Sequence, residues 1–151
     1  MTPLKLLAAA SLSLSMLFTG YGQSSPNAGA SKMAANKETV KKLYLEFNKH
    51  NLKMFDLYFA SDVIDHGAFE GQAPGRKGLK DVVKGMFDAY PDINVQQLEL
   101  LADGDFVITR DLWNATEKGT GKKKTGETIH IFKFRDGLVQ DEWSKGWEWM
   151  E

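Results

Sequence analysis

The chain of 151 residues contains no cysteine. That excludes a cysteine-borne lipid anchor, and it excludes disulfides as the source of stability. Lysine and arginine are not in excess: 19 face 20 acidic residues, for a net charge of −1. There is no basic field to attract nucleic acid, and the aromatics do not alternate with basic residues as a base-stacking platform would require. The three histidines, His50, His66 and His130, have neither H-x-H nor H-x3-H spacing, so no zinc site is indicated. No G-x-S-x-G or P-loop pattern occurs. No apolar run reaches the roughly 20 residues of a membrane span.

What is present begins with a leader. Lys5 precedes an apolar stretch, Leu6 to Phe18, broken only by Ser11, Ser13 and Ser15. A charged start, a short apolar run and small residues after it read as a secretory signal peptide over 1–22. The expected location is therefore periplasmic or secreted, with no stable membrane span after cleavage. Residues 23–35, rich in Ser, Ala, Gly and Asn, read as a flexible linker. The folded domain is then 36–151, a normal size for one domain.

Within it, Val40, Leu43, Tyr44 and Phe47 form one apolar stripe of a helix starting at Asn36. A dense apolar cluster from Met54 to Phe59 gives a second, short helix. Asp62 to Phe69 reads as a short extended piece. Leu79, Val82, Val83, Met86, Phe87 and Tyr90 carry a third helix, the strongest helical signal, stopped by Pro91. After Pro91 the period changes to two. Strands are expected over 93–101, 106–116 and 128–135 and from Leu138 onward, with turns at Asp103-Gly104 and Asp136-Gly137. "KKK" at 122–124 reads as a solvated hairpin tip. Three helices followed by an antiparallel meander make an α+β fold.

The last strand poses the functional question. Alternation puts Val139, Asp141, Trp143, Lys145, Trp147 and Trp149 on one side. With a two-residue turn at Asp136-Gly137, Phe134 opposes Val139, Phe132 opposes Asp141 and His130 opposes Trp143. An aspartate and an imidazole then share an aromatic face. Either they are satisfied polar residues at a core rim, or a curved sheet leaves its concavity open and they point into a pocket. Arg110 and Asp111 are adjacent in a strand, so they point to opposite faces and do not act as one pair.

"DHGAF", "PGRKGLKDVVKGMFDAYPDI", "LADGDFVITRDLWNATEKGTG" and "TGETIHIFKFRDGLVQDEW" resemble successive blocks of the SnoaL-like polyketide cyclase family, within the NTF2-like superfamily. The resemblance spans about 36–149. It implies a cone-shaped α+β fold: three N-terminal helices on a strongly curved antiparallel or mixed sheet enclosing a pocket, often as a homodimer through the outer sheet face. It implies ring closure by aldol condensation with no cofactor and no metal, on a small hydrophobic molecule. An aspartate serves as acid/base and histidines assist. Asp141 falls on the last strand where that acid is expected, with Glu142 and Ser144 as alternatives. His66 and His130 match the assisting histidines. Phe132, Phe134, Trp143, Tyr44 and Met86 are the expected substrate-binding walls. The Arg-x-Asp pair of the related limonene epoxide hydrolases is missing from "RDLWN". An aspartate among such rings is partly desolvated, which favours its neutral form. A rival reading is an exported, non-catalytic module that binds a lipophilic ligand.

Overall fold

The structure, a computed structural model, describes residues 26–146 together with Trp149. The expected signal peptide and Trp147 lie outside the described residues. In chain order the elements are α1 (Pro26–Asn48), α2 (Met54–Tyr58), β1 (Phe59–Asp65), α3 (Gly75–Ala89), β2 (Asn94–Asp103), β3 (Phe106–Thr116), β4 (Lys123–Arg135) and β5 (Leu138–Lys145). One sheet has the order β1-β5-β4-β3-β2. All neighbours pair antiparallel except β1, which runs parallel to β5. The extended piece before the third helix is thus an edge strand, and α3 follows it rather than joining the first two helices directly.

Two boundaries correct the reading of the sequence. Helix α1 begins at Pro26, so the stretch expected as linker is helical from there on. Alanine-rich sequence with proline in the first turn favours that. Lys32 in this extension reaches Asp105 Oδ1 at 2.6 Å. Asn36 is buried inside the helix instead of capping it. Strand β4 starts at Lys123, and Lys123 and Lys124 pair with Thr116 and Ala115. The lysine run is therefore partly strand.

The helices cover one face of the sheet. Val40, Leu43, Tyr44 and Phe47 of α1 and Met54 and Phe55 of α2 are buried with Val107, Trp113, Phe132, Phe134 and Val139 of the sheet. Helix α3 has the clearest apolar stripe, yet of that stripe only Leu79 is buried. Val82, Val83, Met86 and Tyr90 stay half-buried because they face a cavity.

The hairpin between β4 and β5 decides what faces that cavity. Asp136 and Gly137 have φ of 54° and 79°, as a type I′ turn requires. Phe134 opposes Val139 as expected, but Lys133 then opposes Asp141 and Phe132 opposes Glu142. Gln140 is an extra residue, a β-bulge. Because the side-chain period is two, one extra residue reverses every face beyond it. Glu142 and Ser144 therefore turn inward, and Asp141, Trp143 and Lys145 turn outward.

Candidate functional site

Strict alternation along β3 sends Thr109, Asp111 and Trp113 inward, all buried. Thr109 lies opposite His130, and Asp111 lies opposite Thr128 on β4. Asp111 Oδ2 is the hub. It accepts the Tyr44 hydroxyl at 2.7 Å, the Thr109 hydroxyl at 2.6 Å and His130 Nδ1 at 3.0 Å. A buried carboxylate is costly unless hydrogen-bonded, and donors from α1, β3 and β4 supply bonds to Oδ2, while the buried Oδ1 has no hydrogen-bond partner among the described residues. Trp113 Nε1–H donates to Thr128 Oγ1 at 2.7 Å, and that hydroxyl lies 3.3 Å from His130 Nδ1. Burial beside Asp111 pushes the Tyr44 phenol well above its ordinary range, so it remains a neutral donor.

This network fixes the imidazole. A lone pair on Nδ1 aimed at a carboxylate oxygen would be repelled, so Nδ1 carries hydrogen and donates to Asp111. Nε2 is then the nitrogen that faces Glu142, with Oε1 3.9 Å away. That is too long for a hydrogen bond. In a dry site it is close enough for appreciable attraction.

Glu142 is the perturbed acid. Its side chain is 14% exposed, and its pKa is raised to about 7. Burial is the main cause. His130 pulls it down in part, and the carboxylate of Asp65 pushes it up. Asp65 on β1 is the direct partner of Glu142 across the parallel pair.

Two chambers share these groups in their lining. An inner one of about 70 Å³ is lined by Leu43, Phe47, Met54, Phe55, Trp113 and Phe132, among others. An outer one of about 250 Å³ is lined by Asp65, Phe69, Val82, Tyr90, Ser144 and Trp149, among others. Leu79, Val83, Met86, His130 and Glu142 border both. The imidazole and the acid thus stand at the neck between an apolar interior and a more polar mouth.

The residues expected from the sequence divide between the faces. His130, Phe132, Tyr44 and Met86 line the inner chamber. Phe134 is buried in the core. Asp141, His66 and Trp143 are on the outer face: His66 Nε2 lies 3.0 Å from Asp141 Oδ1, and its ring stacks on Trp143 at 4.2 Å. Lys133 approaches Asp141 at 3.9 Å. The expected pairing of Asp141 with Phe132 and of Trp143 with His130 is therefore corrected by the bulge at Gln140. Glu142, expected as an alternative to Asp141, faces inward, and Asp111 and Asp65 are the polar groups not expected there. The alternation in 106–116 is a signal that could have found Asp111, since it sets that residue on the face of Trp113. Arg110 does turn the other way, to Glu99 and Glu127. Among the described residues no cluster of three or more His, Asp or Glu side chains is arranged to hold a metal ion. No described helix is long and apolar enough to cross a membrane.

The family model for SnoaL-like polyketide cyclases matches residues 38–145. The chain belongs to that family. This SnoaL-like protein also shares its fold with solved structures of the NTF2-like cone type. One is a candidate polyketide cyclase from Acidithiobacillus ferrooxidans, at 27% identity and a TM-score of 0.65, covering 76% of this chain and 89% of that one. The SnoaL-like polyketide cyclase from Agrobacterium tumefaciens matches at 15% identity and a TM-score of 0.66, over 74% and 90% of the two chains. AclR, a candidate hydroxylase from Streptomyces galilaeus, matches at 21% identity and a TM-score of 0.67, over 76% and 90%. Relatives described by different reactions share the cone, so the fold by itself does not choose among chemistries. Among curated protein sequences none matches this SnoaL-like chain.

Proposed function

We propose that the protein is a cofactor-independent acid/base enzyme acting on a small hydrophobic carbonyl compound, with Glu142 as the proton-transferring group and His130 as its partner. The supporting observation is the raised carboxyl of Glu142 at the neck of two chambers, facing an imidazole whose other nitrogen is held by Asp111. A pKa near the working pH suits a group that must both take and return a proton. Ionised Glu142 removes a proton from the carbon next to a ketone, and the C–H electron pair moves into the enolate. Protonated His130 donates from Nε2 to the enolate oxygen, leaving neutral imidazole and an enol. In an aldol closure the enol carbon then bonds to a second carbonyl carbon. Protonated Glu142 gives its proton to the new alkoxide, and His130 recovers the enol proton as the ketone re-forms.

The first step can be measured without the natural substrate. In heavy water the protein should accelerate α-proton exchange of small aryl ketones, followed by NMR, and Glu142→Gln should abolish the acceleration. Exchange at the buffer rate with every ketone, or full exchange by the Gln variant, would overturn the proposal.

A second reading is favoured by the apolar lining of the inner chamber: the same space binds a lipophilic ligand and releases it unaltered. Native mass spectrometry of the purified protein would then reveal a retained ligand of unchanged mass after incubation. Two further elements belong to the proposal. Ile64, Leu101, Phe106, Ile108 and Ile129 are exposed on the outer sheet face, which suits a homodimer; sedimentation measures it. Export rests on the leader at 1–22, and N-terminal sequencing of the mature protein checks it.

A further inference from the structure

The two chambers differ in size and in chemistry. The inner one, at about 70 Å³, is roughly half the ~150 Å³ of an interior cavity that accepts benzene. A ring does not fit there, but a short alkyl group does. The outer one, at about 250 Å³, has room for a ring. A ligand reaching both must pass its substituent through the neck at His130 and Glu142.

The polar lining of the mouth is mostly acidic or hydroxylic. Asp65 from β1, Glu142 and Ser144 from β5 and Tyr90 beyond the end of α3 contribute carboxyl or hydroxyl groups. His130 from β4 is the one basic side chain among the described lining residues; its Nδ1 is held by Asp111 and its Nε2 faces Glu142 at the border of the two chambers. Asp65 is fixed in place. Its Oδ1 accepts the Gly67 N–H and its Oδ2 accepts the Gln72 amide, each at 2.8 Å. A carboxylate offers about four acceptor positions, so each oxygen retains capacity for a ligand. Gly67 keeps this wall close: a Cβ there would lie 2.8 Å from Ser144 Oγ. An anion placed beside Asp65 meets a carboxylate of like charge in a partly desolvated space, whereas a hydrogen-bond donor there meets a ready acceptor.

We propose that the outer chamber selects a substituted ring bearing an ammonium or hydroxyl group and rejects ring carboxylates, with Asp65 as the specificity-determining residue. This rests on the reading of the chambers as the substrate site and adds the class of ligand they admit.

Three matched probes differ only in the polar group: 4-ethylbenzylamine, 4-ethylbenzyl alcohol and 4-ethylbenzoate. Binding to the full chain at pH 7 is read by calorimetry, with tryptophan fluorescence as a check because Trp113 and Trp149 border the chambers. The amine should bind at least about tenfold more tightly than the benzoate, with the alcohol between them. Asp65→Asn should shrink that ratio at least about fivefold, and Asp65→Glu should restore it. Because the ratio is taken within one protein, a general loss of affinity does not mimic the effect. Benzoate binding as tightly as the amine in the unaltered protein overturns the proposal, and so does an unchanged ratio in a folded Asp65→Asn protein. Either result leaves the α-exchange test untouched, so ligand selection and proton transfer fail separately.

Discussion

Strand β5 carries a carboxylate near an imidazole on each of its faces, and the two imidazoles differ in how open they are. On the outer face Asp141 and His66 are in contact at 3.0 Å, and the imidazole is 36% exposed. On the inner face Glu142 and His130 are 3.9 Å apart, and the imidazole is 5% exposed. The outer pair is closer, and its carboxylate is as covered as that of Glu142, 14% exposed in each case, but the more open imidazole lets water and salt screen it. The inner pair is farther apart, yet the low local dielectric makes each charge consequential. Burial raises Glu142 even though its imidazole neighbour stands 3.9 Å away.

The largest expected contrast is in proton transfer. Glu142→Gln should reduce ketone α-exchange by roughly 10²–10⁴-fold, the usual range for a positioned acid/base group. Asp141→Asn should leave it within about twofold, since its side chain borders neither chamber. Equal losses would erase the distinction between the faces.

Stability should divide the same way. Asp111→Ala leaves the Tyr44, Thr109 and His130 donors without their shared acceptor. Breaking a buried pair of this kind costs about 3–5 kcal/mol. Asp141→Ala should cost less, because the His66 and Lys133 groups it leaves are open to water and can be hydrated. Urea unfolding of the two variants compares them directly.

The pH dependence of folding sharpens the comparison further. The ordinary Glu142 value of 4.5 is raised to about 7 in the folded protein. Between those values the folded state holds a proton that the unfolded chain has lost. Stability from this group is therefore full below about pH 4.5 and declines as pH rises to about 7. The decline amounts to about 3 kcal/mol at 1.36 kcal/mol per unit. Glu142→Gln should be more stable than the parent at pH 8, with the difference vanishing near pH 4. Denaturant melts at several pH values measure this, and a gap independent of pH would refute the assignment. The lysine-paired carboxylates Asp56 and Asp88 are lowered instead, so they titrate below this window.

The smallest effect should come from the outer stack. Trp143→Ala removes the ring under His66 and should cost about 0.5–1.5 kcal/mol beyond lost burial. α-Exchange should stay intact.

Periodicity carried most of the architecture. The stripe of Val40, Leu43, Tyr44 and Phe47, the change of period after Pro91 and the Asp136-Gly137 turn placed helices and strands close to where they lie. The parallel edge strand β1 was legible only as an extended piece, because its partner lies far along the chain. The site was half legible. His130 and Phe132 were placed on the inner face because they precede the turn, where alternation is unbroken. Asp141 and Trp143 were misplaced because they follow Gln140, and nothing in "LVQDEW" marks the bulge by composition. Asp111 was not singled out, because its value depends on Tyr44, which comes from a helix 67 residues earlier.

The extra residue at Gln140 has a consequence for how such pockets diversify. Asp141 and Glu142 are consecutive acids, and a slip in backbone pairing settles which of them looks inward. Relocating that slip would exchange a long acidic arm for one shorter by a methylene while both codons stay as they are. Descendants of such a chain can retune the reach of their proton carrier by inserting or losing a residue at the hairpin, well away from the chamber it serves.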